Sequence, residues 1–241
     1  MNEHEKILEV IRLKDQAPLT FNPACSALLV IDVQRYFVSP EYPFAQVLER
    51  LVAGTTEGYF KRVRDQVLPN INKLLGLFRA HNRPVIFTGT GSYSDNGAEL
   101  PQWLKDFDQL GQMVVGKRVW PQVDDPSWQI DESVAPRQGE LVLHKTSSGP
   151  LNSTKLDQLL HNLDVNSLVV TGLTTDVCVT QTARETADRG FHVIVADDCC
   201  TTLSEEMHNA ALTAFGLAFG RVRKSDDIVR LFSTATSASA G

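Results

Sequence analysis

The sequence predicts an α/β fold: a single three-layer domain in which a doubly wound, mostly parallel sheet carries helices on both faces. Two patterns support this. Five short apolar runs, ALLVID (27–32), PVIFTG (84–89), ELVLHK (140–145), SLVVTG (167–172) and HVIVAD (192–197), have the length and composition of strands buried on both sides. Between them lie longer amphipathic stretches at 67–82, 153–163, 177–190 and 204–218, and strand–helix alternation of this kind builds a parallel sheet. With 241 residues, 42% of them hydrophobic, the chain is long enough to fill one such core.

The chain opens with MNEHEKILEVIRLKD, in which charges interrupt every apolar run. No secretory signal or membrane span is expected there, and the cytoplasm is the expected compartment. The first strand closes on Asp32, and a carboxylate ending an apolar strand is partly desolvated, which raises its basicity. Residues 33–60 mix aromatics, Pro and Gly without a clean period. They are expected to form a lid, an oligomer contact or a surface excursion, at the strand ends where open α/β sheets bind ligands. The helix at 67–82 leads to the second strand, after which 90–139 is a second aperiodic insertion with the same alternatives.

The third strand, ELVLHK, closes on Lys145. After the helix at 153–163 comes SLVVTG and the turn LTTDV, so that Cys178 opens the helix at 177–190. The positive field of a helix N-terminus is expected to lower the thiol pKa and favour the thiolate. First-turn N–H groups are also placed to bind an oxyanion. The fifth strand runs into Cys199 and Cys200 near the same rim, and Cys25 precedes the first strand with no base near it in sequence. The four cysteines have no C-x-x-C spacing and read as reduced thiols. The tail STATSASAG (233–241) is small and polar and is expected to be flexible.

Asp32, Lys145 and the turn to Cys178 all stand at strand C-termini, which share one rim in a parallel sheet. A thiol, a carboxylate and an ammonium meeting there suit nucleophilic catalysis, with Asp32 shuttling the proton. Singly, each has a structural reading: a free Cys is a common core residue, a strand-end Asp a turn former, a strand-end Lys a solvated charge. Gln34 and Phe37, extending from the Asp32 strand, and Trp120, in the long insertion, are candidate substrate-binding residues. For the two aromatics, core packing is the competing reading. The net charge of −6 is spread along the chain without a Lys/Arg cluster, which excludes nucleic acid as the expected partner. The turn after the first strand, DVQRYF, has no G-x-G-x-x-G to admit a dinucleotide.

The segments LLVIDVQRYF, VLHKTSSG and VVTGLTTDVCVTQTARETADRGFHVIVADDCC resemble the three motif blocks of the isochorismatase-like cysteine hydrolases. That family includes nicotinamidases, N-carbamoylsarcosine amidohydrolases, biuret hydrolases and ureidoacrylate amidohydrolases. The similarity spans residues 25–222 of the single domain (1–241), with 1–24 as an N-terminal extension. The resemblance implies a Rossmann-like sheet and a catalytic triad of Asp32 (base), Lys145 and Cys178 (nucleophile). It further implies a cis peptide at Leu173–Thr174 and an oxyanion hole built from the amides of Thr174 and Cys178. It also implies a homo-oligomer, a dimer or a tetramer.

Nicotinamidases of this family hold a metal with an Asp and paired His after the second strand. This chain reads TGTGSYSDNGAEL there and has no His between His81 and His144, so neither metal nor cofactor is expected. Isochorismatases, which cleave a vinyl ether, typically lack the cysteine that this chain carries at 178. The expected function is therefore cysteine-dependent amidohydrolysis of a small amide or a carbamoyl- or urea-type substrate through a thioester, releasing ammonia or an amine. The alternatives are hydrolysis of a vinyl ether or an ester on the same scaffold, or a non-catalytic binding or oligomerisation module.

Overall fold

All five apolar runs form strands, and a sixth joins them. The structure, a computed structural model, describes residues 1–238, with side chains described through residue 234. The chain order is α1 (Glu3–Lys14), β1 (Ser26–Ile31), α2 (Arg35–Val38), α3 (Pro43–Leu51), α4 (Glu57–Arg62), α5 (Leu68–Ala80), β2 (Val85–Thr90), α6 (Gln102–Val115) and β3 (Leu141–Lys145). It continues with α7 (Leu156–Asn162), β4 (Ser167–Leu173), α8 (Thr180–Asp188), β5 (His192–Thr201), α9 (Glu205–Ala218), β6 (Arg221–Arg223) and α10 (Ser225–Ala238).

The sheet is parallel throughout, in the order β3-β2-β1-β4-β5-β6. The first three strands step one way and the last three the other, so the reversal falls between β1 and β4. In a doubly wound sheet the crevice outside the C-terminal ends of those two strands is the ligand site.

Strand side chains alternate between two apolar layers. Leu28, Val30 and Phe87 pack on one face with Leu74 and Phe78 of α5 and with Ile228 and Phe232 of α10. Leu29, Ile31 and Ile86 pack on the other with Leu156 and Leu160 of α7, Ala183 of α8 and Phe215 of α9. All six residues of β1 and all seven of β4 are buried, which is why these strands read as unbroken apolar runs. Each fully buried aliphatic side chain contributes roughly 1.5–3 kcal/mol.

Three local readings are revised. The aperiodic segments contain helices packed on the core: α2, α3, α4 and α6 place Phe37, Phe44, Tyr59 and Leu104 in the first apolar layer, joined by Trp120 beyond α6. Their helices are mostly too short to show a period, and aromatic contacts anchor them, such as Phe37–Phe44 at 5.0 Å and Phe37–Trp120 at 6.1 Å between ring centroids. Cys178 does not open an α-helix directly, because a π turn over Thr175–Val179 precedes α8. Residues 233–238, expected to be flexible, continue α10, and residues 239–241 of that tail lie outside the described residues. Among the described residues, no helix is long and apolar enough to cross a membrane.

Candidate active site

Asp32 follows β1 in a left-handed backbone conformation (φ 52°), which Asp tolerates better than most residues. That kink turns its carboxylate off the strand axis and across the end of β2. Thr88 Oγ1 donates to Oδ1 at 2.7 Å and Thr90 Oγ1 donates to Oδ2 at 2.8 Å. The two threonines stand two residues apart on β2 and so share a face. Neither was singled out in the sequence, although alternating hydroxyls at the end of a buried strand were a visible signal.

Lys145 arrives from the far side of β2. It pairs in register with Thr90, and it is fully buried although the rest of its edge strand is partly or wholly exposed. Its Nζ stands 2.8 Å from Asp32 Oδ2 and 3.5 Å from Cys178 Sγ. It also donates to Ser147 O at 2.9 Å and to Thr90 Oγ1. A buried ammonium persists only when paired and hydrogen-bonded. Burial opposes the charge, but Asp32 and Cys178 outweigh it and hold the Lys145 pKa above the ordinary lysine value.

Cys178 comes from the π turn after β4. Gly172, near the end of β4, adopts φ 112°, and a Cβ there would lie 2.0 Å from Ile31 O. Only glycine lets β4 pass so close to the residue before Asp32. The Leu173–Thr174 peptide bond is cis. The Thr174 carbonyl accepts from Val177 N–H (3.3 Å) and Val179 N–H (3.1 Å), and Thr182 Oγ1 donates to Cys178 O at 2.6 Å.

Cys178 is 5% exposed. Burial pushes its thiol up to about 12; Lys145 pulls it down, while Asp32, by its charge and as a hydrogen-bond partner, holds it neutral. The expected lowering of the thiol pKa by a helix terminus is opposed here by burial, which acts in the other direction. Desolvation disfavours the charged thiolate, and the carboxylate beside the thiol is placed to accept its proton.

The expected pocket-wall residues take structural places. Gln34 is fully buried and its side-chain amide is consumed: Nε2 donates to Trp128 O (2.7 Å) and Thr90 O (3.2 Å), and Oε1 accepts from Thr90 N–H at 2.8 Å. It pins the loop around Trp128 to the end of β2 and keeps no group for a substrate. Phe37 belongs to the aromatic core described above. Trp120 does too, with its Nε1 donating to Leu104 O at 2.9 Å. Trp120 also borders an open cavity of about 400 Å³ with Tyr36, Pro43 and Gln122, but Asp32, Lys145 and Cys178 are not in its lining. Cys199 and Cys200 are buried, and burial pushes both thiols well above the usual range.

The stretch after β2 offers the buried Ser92, and Arg118 Nη2 donates to its Oγ at 3.2 Å. A guanidinium in that position repels a metal cation, so the donor set does not fit one. Among the described residues, no three His, Cys, Asp or Glu side chains group for metal binding.

The Isochorismatase domain matches residues 26–227, and the chain belongs to the isochorismatase family. It is 27% identical over 235 residues to the ureidoacrylate amidohydrolase RutB of Pseudomonas syringae pv. syringae, covering 90% of this chain and 87% of that protein. It is also 27% identical over 205 residues to nicotinamidase 3 of Arabidopsis thaliana, covering 82% and 85% of the two chains. Among solved structures, a cysteine hydrolase from Pseudomonas syringae pv. phaseolicola has the same fold, with a TM-score of 0.73 at 23% identity over 90% of this chain and 98% of that one. The family is one of hydrolases and includes amidohydrolases.

Proposed function

We propose that this protein is a cysteine-dependent amidohydrolase that cleaves the C–N bond of a small amide or a carbamoyl- or urea-type substrate. The observation that carries the reading is one ammonium shared by a carboxylate and a thiol: Lys145 Nζ lies 2.8 Å from Asp32 Oδ2 and 3.5 Å from Cys178 Sγ, at the sheet's reversal point. The names of the amide-cleaving relatives support it.

Attack begins with Cys178 neutral. As Sγ adds to the carbonyl carbon, Asp32 takes the thiol proton, so no free thiolate has to accumulate in a site that disfavours it. The carbonyl oxygen becomes an oxyanion, held by the amides of Thr174 and Cys178. Collapse breaks the C–N bond, the leaving nitrogen takes the proton from Asp32, and ammonia or an amine departs. Water, losing a proton to Asp32, then hydrolyses the thioester and regenerates the thiol. Lys145 keeps Asp32 charged between steps and offsets the negative charge of the addition.

The test is ammonia release from ureas, carbamoyl amino acids, biuret and aromatic carboxamides, with Cys178→Ala alongside. Turnover that depends on the thiol supports the proposal. Activity that Cys178→Ala retains refutes it.

A further inference from the structure

Outside the cluster of Asp32, Lys145 and Cys178, a second line of polar side chains ends at the same turn. His208 of α9, largely buried, lies between the Asp197 carboxylate of β5, 2.9 Å from its Nε2, and the Thr175 hydroxyl, 2.8 Å from its Nδ1. The bond to His208, opposed by burial, holds the Asp197 carboxyl below its usual range. An ionised carboxylate only accepts, so in the neutral ring Nε2 carries the proton and Nδ1 accepts from the Thr175 hydroxyl.

Thr175 is fully buried and is the first residue of the π turn that carries Cys178. A hydroxyl, an imidazole and a carboxylate in line have the order of a nucleophile relay. Thr175 has no exposed surface from which to meet a substrate, so the line is suited to holding rather than attacking. It ties three separate elements: the middle of β5, the face of α9 and the turn after β4. The Thr175 hydroxyl also bonds the Cys200 thiol, a weaker acceptor; without His208 it keeps only that partner, and the turn would shift towards it.

Resting on the cysteine-hydrolase reading above, we infer that His208 is a positioning residue: backed by Asp197, it pins Thr175 and holds the Cys178 turn where Sγ meets Lys145 and Asp32. A displacement of the thiol of about an ångström is enough to cost on the order of 10²-fold in rate. The pin therefore acts on kcat and leaves KM in place.

Four single variants and one double separate this from simple packing. His208→Ala and Thr175→Val are each expected to lower kcat about tenfold or more, with KM within about twofold of wild type. The double variant should be little worse than either single, since both break one bond. His208→Asn carries an amide oxygen near the Nδ1 position and should recover most of the lost kcat. His208→Gln carries its amide nitrogen near Nε2, serves Asp197 alone, and should resemble His208→Ala.

Backbone hydrogen exchange across 173–180 gives a readout free of turnover. It should quicken in His208→Ala and His208→Gln and return towards wild type in His208→Asn. Equal behaviour of the Asn and Gln variants, with both tracking melting temperature, would overturn the inference in favour of a packing role; so would kcat losses that multiply in the double variant. If the wild-type protein releases no ammonia from any amide, the proposed activity fails while the exchange series still decides the pin. Unchanged exchange in His208→Ala overturns the pin even where the activity stands.

Discussion

Asp32→Asn separates the two roles given to this carboxylate, because it keeps the side chain's shape while deleting the charge. The remaining amide oxygen still accepts from Thr88 Oγ1, now 2.7 Å away, but nothing negative faces Lys145 Nζ across the 2.8 Å gap. At that distance and an effective dielectric near 20, the lost attraction is about 6 kcal/mol before desolvation. Breaking one side of a buried ion pair costs about 3–5 kcal/mol of stability, which urea denaturation would read as a lower midpoint. The thiol responds in the opposite sense. Asp32 raises the Cys178 pKa and Lys145 lowers it, so without the carboxylate the thiol drops below about 12. The variant should therefore hold a more acidic nucleophile and no base. We expect kcat to fall by about 10²-fold or more, the scale of general acid–base catalysis. The pH midpoint of Cys178 alkylation by iodoacetamide, followed by peptide mass, should move down. A folded variant that keeps kcat within about twofold of wild type, or whose alkylation midpoint rises, would show that Asp32 neither takes the proton nor holds the thiol neutral.

Cys178→Ser should abolish turnover while substrate still binds in calorimetry, since an alcohol at this site is far harder to ionise than a thiol; measurable turnover by this variant would remove the nucleophile assignment. Alkaline stability tests the buried thiol. With its pKa raised from 9.0 to about 12, its contribution is intact below the unfolded value and lost as pH rises through the folded one, so between pH 8.5 and 11 wild type should lose about 3 kcal/mol more than Cys178→Ala in urea titrations. Gln34→Ala deletes three buried hydrogen bonds and should lower stability by about 2–4 kcal/mol with KM unchanged, whereas a raised KM at unchanged melting temperature would return Gln34 to the substrate. Dialysis against EDTA should leave ammonia release intact, and activity restored only by added zinc or iron would reveal ligands outside the described grouping.

The grouping of Asp32, Lys145 and Cys178 was legible in the sequence because chain position alone decided it. Asp32 and Cys178 end up together because each follows a strand beside the sheet's reversal, and Lys145 because it closes a strand two places further out, across β2. What could not be read were the partners that the fold brings in from a distance. Gln34 stands next to the right strand, yet its fate was set by the carbonyls of Thr90 and Trp128. The strand β6, three residues reading Arg-Val-Arg, is too short and too charged to resemble a strand, and it forms only because the exposed edge of β5 is there to pair with it.

The protonation of Cys178 shows the limit most clearly. The position at the head of a helical segment argued for a thiolate, and that argument is sound for an exposed turn. The turn is buried under packing contributed by several elements, and beside it lies a carboxylate already satisfied by two threonines and a lysine. Burial there pushes the thiol pKa up, with Lys145 opposing it. Hydrophobic periodicity reports which face a residue takes, but burial depth and hydrogen-bond partners are properties of the assembled layers. In the proposed mechanism proton transfer is therefore coupled to attack instead of relying on a preformed thiolate, and Asp32, rather than the helix terminus, is then the group on which the rate would depend.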